Sequence, residues 1–155
     1  MNLEKLINSG ILEEFKGTSI EQIERKLKSA VSYYDVAKYS IGKIKEEDNL
    51  VIYTNLYHSA IILADTFLLL KGYRFKKRVS NHHTILIQTV KLLMDDPEMN
   101  EIFIRLARMQ KDRNKIDYDA EALDISEPIL TQAIQDIKIF TDKIRGHIQL
   151  QQESE

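Results

Sequence analysis

A chain of 155 residues, 43% hydrophobic and 30% charged, has the balance of a globular protein and the length of one domain, so residues 1–155 are expected to share a single core. Five glycines and two prolines leave too few turns for an all-β fold, and the absence of cysteine excludes a disulfide framework, a thiolate zinc site and a cysteine nucleophile. A formal charge of -2 provides no global attraction for nucleic acid, so any such binding must rest on a local basic patch.

Charged residues interrupt the segment Met1-Asn2-Leu3-Glu4-Lys5-Leu6, which is unlike a secretory signal. The longest apolar stretch, Ser59 to Leu70, contains Asp65 and is too short to span a bilayer. A cytoplasmic protein without membrane association is expected.

In residues 1–17, Leu3, Leu6, Ile7, Ile11 and Leu12 have helical spacing and predict a short accessory helix ending before Gly17. Ser19 with Gln22 forms a capping-box pattern. From there Ile20, Ile23, Leu27, Ala30, Val31, Tyr34, Ala37, Ile41 and Ile44 trace one apolar face over about seven turns. After the polar run Lys45 to Asn49, a third helix is predicted from about Leu50 to Lys71, stopped by Gly72. It is apolar nearly all round, which makes it the buried centre of an antiparallel bundle on which the other helices pack.

A fourth helix, capped by Ser80 or Asn81, carries Ile85, Leu86, Val90 and Leu93 and ends at Asp95-Asp96-Pro97. A fifth, from about Glu98, presents Ile102, Phe103, Leu106 and Met109 to the core and runs into the polar segment from Arg113 to Tyr118. The sixth begins at Ser126-Glu127-Pro128, with the serine hydroxyl as cap and Ile129, Leu130, Ala133, Ile137, Phe140 and Ile144 on its apolar face. Residues 149–155 read as a frayed tail. The expected fold is therefore all-α, a bundle of five to six helices around a buried central one.

Two clusters carry chemistry. On the fifth helix Arg105, Arg108 and Asp112 fall on or near one stripe, while Arg113 and Asp117 can pair at i,i+4, and Asn114 and Tyr118 stack one turn apart. With Lys111 and Lys115 beside them, these side chains suit a phosphodiester: arginine offers a planar fork to phosphate oxygens, and the amide and phenol can orient bases or sugar hydroxyls. The bland alternative is a solvated helix end laced by weak ion pairs. The second cluster is the basic loop with Arg74, Lys76, Lys77 and Arg78, interleaved with Tyr73 and Phe75, which suits phosphates and stacked bases or, equally, a solvated connection stapled to the bundle.

No histidine forms a site by spacing alone. His82 and His83, adjacent at a helix start, project about 100° apart. His58 in the central helix reads as a satisfied core residue, and His147 lies near the tail. No metal-ligand spacing, phosphate-binding glycine loop or serine elbow is present.

Three segments, taken in order, resemble the HEPN superfamily, especially the single-domain prokaryotic type often encoded beside a minimal nucleotidyltransferase. They are Tyr57-His58-Ser59-Ala60 continuing to Leu68-Leu69-Leu70-Lys71-Gly72-Tyr73; Ser80-Asn81-His82-His83-Thr84; and Arg113-Asn114-Lys115-Ile116-Asp117-Tyr118-Asp119. The resemblance spans roughly residues 21–144. It implies a homodimeric component of a toxin-antitoxin or defence module, acting on RNA or nucleotide, with a minimal nucleotidyltransferase as antitoxin partner. It also implies a metal-independent ribonuclease without cofactor, with Arg113, Asn114 and Tyr118 as its catalytic residues.

The ribonuclease members carry a histidine after the arginine, and the positions available for it here are Tyr118, Asp119 and Ala120. A tyrosine is poorly matched to proton transfer at neutral pH, where histidine serves well. Tyr118 can donate a hydrogen bond or act as general acid while Arg113 stabilises phosphate charge. The tyrosine that some relatives present for adenylylation corresponds to Ala120. Two other readings stand beside the nuclease: a non-catalytic subunit that binds RNA, nucleotide or a nucleotidyltransferase, and a helical protein-interaction module.

Overall fold

The computed structural model describes residues 2–119 and 124–155, together with the side chains of all of these except 116–119. The fold is an all-α helical bundle with one two-stranded ribbon. Its elements are α1 (Leu3–Asn8), β1 (Leu12–Glu14), α2 (Ile20–Ser40), α3 (Asn49–Leu70), β2 (Tyr73–Phe75), α4 (His82–Met94), α5 (Asn100–Asp119) and α6 (Glu127–Glu153).

α3 is the centre. It contacts α2, α4, α5, α6 and β2, and Leu56, Leu63, Phe67 and Leu68 are fully buried along it. Its all-round apolarity is the reason: such a helix gains burial on every side and excludes solvent only when ringed by others. α2 packs against it in antiparallel register, fixed by Ser59 Oγ donating to the Ala30 carbonyl at 2.7 Å and by the 2.7 Å ion pair of Lys26 with Asp65. Ala30 and Ser59 are wholly buried there, so two small side chains let the helices approach closely.

The Ser19–Gln22 capping box forms reciprocally, with Gln22 N donating to Ser19 Oγ at 3.2 Å and Ser19 N donating to Gln22 Oε1 at 2.8 Å. At the far end α2 stops at Ser40, and Gly42 turns the chain at φ +75°, so Ile41 and Ile44 lie beyond the helix rather than on its face.

The N-terminal segment differs from a plain accessory helix. After α1, residues 12–14 pair antiparallel with 73–75, Leu12 opposite Phe75 and Glu14 opposite Tyr73. Gly72 at φ +85° ends α3 and aims β2 back along the bundle, and Phe15 N donates to the Gly72 carbonyl at 2.7 Å. The basic segment is thus partly strand. Leu12, read as a helical position, is instead buried beneath this ribbon.

Both later caps use the backbone. Asn81 occupies the α4 N-cap and Ser126 that of α6, each without a side-chain hydrogen bond; the Ser126 carbonyl accepts from Ile129 and Leu130 N. Ile129, assigned to the core by spacing, is 44% exposed because it falls in the first turn of α6, ahead of the packed face that begins at Leu130. α6 runs through the expected tail to Glu153, where the buried Ile148 still anchors it and Gln149 bonds Glu153 at 3.1 Å. Among the described residues no helix is long and apolar enough to cross a membrane.

Candidate functional site

A layer of polar contacts joins α3, α4 and α5 at one end of the bundle. Tyr53 and Tyr57 stand one turn apart on α3. Tyr53 donates to Asp112 Oδ2 on α5 at 2.9 Å, and Tyr57 Oη lies 2.6 Å from His83 Nδ1 on α4. Thr84 and Gln110 bond each other across α4 and α5 at 2.7 and 2.9 Å. These pairs hold three helices at fixed separation, and the next turn of α5 then brings Arg113 over the Tyr57 ring, with Cζ 5.5 Å from its centre.

The result is a cavity of about 480 Å³ lined by Tyr57, Arg78, Val79, Ser80, His82, His83, Gln110, Arg113 and Asn114. It draws on both clusters of the sequence, the end of α5 and the end of the basic segment, and adds the histidine pair that spacing alone did not make a site. His82 and His83 both line it, with ring centres 5.8 Å apart and ring planes 56° apart. His82 packs on Phe75 at 4.1 Å, and its Nδ1 is buried without a hydrogen-bond partner among the described residues.

The electrostatics favour neutral imidazoles beside cations. Burial lowers the pKa of His83 below the ordinary histidine value, and the charges of His82, Arg78, Arg113 and His58 push the same way. Burial likewise lowers His82, followed by Arg78, and lowers His58, followed by Arg113. Burial drives the Tyr57 phenol up to about 12 against the opposing pull of Arg113, so it keeps its proton at neutral pH. A phenol both donates and accepts, so Tyr57 can hold His83 in either neutral tautomer; Nε2 is the ring nitrogen outside that bond.

The other predicted binding residues are dispersed. Arg108 lines a separate cavity of about 290 Å³ with Tyr53, Met109, Asp112 and the buried Asp136. Arg105, from the same stripe, is taken up structurally: it grips Asp136 with Nε and a terminal nitrogen at 2.7 and 3.0 Å. Arg74 pairs with Glu13 at 2.6 Å and stacks on Phe15 at 3.8 Å, which ties the ribbon together. Lys76, Lys77, Lys111 and Lys115 are exposed and do not line the Arg113 cavity.

The α5 backbone is helical through Tyr118, as the site reading required. The Tyr118 side chain, the Arg113–Asp117 pair and the Asn114–Tyr118 stack lie outside the described residues.

Spacing rules passed over two residues that the fold brings to this site, His83 and Tyr57. The available signal was the histidine pair at a helix start after a basic run, but only tertiary packing shows that this start faces Arg113. His58 is not a core residue: half-buried, it lies between Tyr33 and Tyr57, with ring centres 5.7 and 6.4 Å away. Among the described residues no three His, Cys, Asp or Glu side chains converge as a metal-ligand set. No protein-family model matches the chain, and no curated protein matches it either.

Proposed function

We propose that this protein is a HEPN-type component of a toxin-antitoxin or defence module that binds RNA at the Arg113 cavity and cleaves it without a metal. The observation that carries the reading is the convergence of Arg113, Asn114 and Arg78 with neutral His82 and His83 in one polar cavity. Two guanidiniums suit a phosphodiester, and a neutral imidazole beside them suits proton transfer from a ribose 2′-hydroxyl.

The chemistry needs a base, an acid and charge stabilisation. With Nδ1–H donating to Tyr57 Oη, His83 presents an Nε2 lone pair that takes the 2′-hydroxyl proton as the oxygen attacks phosphorus. Arg113 neutralises charge on the non-bridging oxygens, and the 5′-oxygen leaves with a proton from a second donor, for which the Tyr118 phenol is the candidate. The histidine missing after Arg113 in sequence is thereby replaced from α4. Homodimerisation and a nucleotidyltransferase antitoxin belong to the same proposal through the resemblance.

The test is incubation of purified protein with single-stranded and structured RNA in chelator. Cleavage is expected, with a loss of about a hundredfold or more on Arg113→Ala. Binding without cleavage under any condition leaves the non-catalytic RNA-binding subunit as the function, a reading favoured by the absence of histidine at 118–120. Neither binding nor cleavage removes both.

A further inference from the structure

The aromatic rings of the cavity continue beyond it toward α2. Tyr33 stands 5.7 Å from His58 with the ring planes 32° apart, and His58 adjoins Tyr57, the residue that carries Arg113 over its ring. Because His58 follows Tyr57 directly on α3, the helix itself fixes how far this outer ring pair lies from the guanidinium. Tyr33 is 41% exposed, so its ring is accessible from solvent, and Tyr39 further along α2 is 71% exposed. Cations cover neighbouring rings of the same segment, Lys38 Nζ 5.9 Å from the centre of the Tyr34 ring and Lys43 Nζ 3.4 Å from that of Tyr39. Rings alternating with cations are the make-up of surfaces that follow a single nucleic-acid strand, stacking bases while pairing phosphates.

We infer that Tyr33 and His58 form a nucleobase-stacking subsite beside the Arg113 cavity, which receives a base of single-stranded RNA whose neighbouring phosphate sits at Arg113. This rests on the proposed action on RNA and adds to it a substrate form. A duplex keeps its bases stacked on one another and has none to offer the platform, so the subsite selects unpaired strands. Tyr33 supplies the outer face and His58 sets its angle; neither takes part in proton transfer.

The test uses the full chain and fluorescence anisotropy with two probes that cannot be cleaved, a 2′-O-methyl oligoadenylate and an abasic strand of equal length and charge. Tyr33→Ala should weaken oligoadenylate binding about five- to a hundredfold, the range that loss of one stacked base gives, and leave the abasic strand unchanged. Tyr33→Phe should behave as wild type, because stacking needs the ring and not the hydroxyl. Arg113→Ala should weaken both probes.

Unchanged oligoadenylate affinity in Tyr33→Ala overturns the subsite, as does an equal loss for both probes. Wild-type binding of both probes with equal affinity also overturns it while leaving the Arg113 reading intact, and would turn attention to a protein partner for the exposed α2 face. Failure of the wild type to bind either probe removes the RNA reading and the subsite with it.

Discussion

In the proposed cleavage His83 is the base, and its surroundings set the pH range in which it can accept a proton. Burial and four neighbouring groups, His82, Arg78, Arg113 and His58, all depress its pKa, so it remains an unprotonated base below the ordinary histidine value of 6.5. The rate of RNA cleavage should therefore stay flat as pH falls to about 6.5 and decline only below it, because the base is lost when the folded protein protonates. A pH–rate profile checks this; an acid limb above 6.5 would contradict it. His83→Ala should lower the cleavage rate by about 100- to 10,000-fold while leaving RNA affinity near wild type, which separates proton transfer from binding in a single-turnover assay.

At the scale of elements, the polar bonds between helices decide where the site residues sit. Asp136 on α6 is buried, with 2% exposure, and receives both Arg105 and Gln132. Asp136→Ala leaves the guanidinium without its acceptor and should cost about 2–4 kcal/mol, read as a lower urea midpoint with unchanged slope. Ser59→Val both removes the bond to the Ala30 carbonyl and adds volume where α2 and α3 approach most closely, for a loss of about 1–3 kcal/mol by the same measurement. A variant of either kind with wild-type stability would show that these contacts do not hold the bundle.

The same elements show what a sequence can convey. α3 was legible because thirteen of its residues are buried and its apolarity has no open side, and α2 because its capping box and periodic face agree. β1 was not: three residues, Leu12 to Glu14, are too short for strand alternation to show, and they pair only because Gly72 returns the chain beside them. Arg113 and Asn114 were legible as a polar helix end. Tyr57 and His83 were not, since Tyr57 lies in a helix dominated by apolar residues and His83 gains its role from a helix 26 positions away in sequence.

Across the whole molecule, all four histidines share one property. Burial is the leading cause that lowers each of His58, His82, His83 and His147. The unfolded chain therefore binds protons more readily than the folded one as pH falls through 6.5, and the protein loses stability in that window, ahead of the carboxylates. Melting temperature should fall between about pH 7 and pH 5, and His83→Gln should flatten part of the decline; a constant or rising melting temperature would contradict the neutral state that partial burial gives these rings.

The central claim is that the cavity beneath Arg113 receives RNA phosphate. The most direct measurement is the affinity of wild type and Arg113→Ala for a short single-stranded RNA over a series of salt concentrations. The account predicts weaker binding for the variant and a salt slope shallower by about one phosphate contact, near 0.7 in the logarithmic plot. An affinity and slope identical to wild type would contradict it.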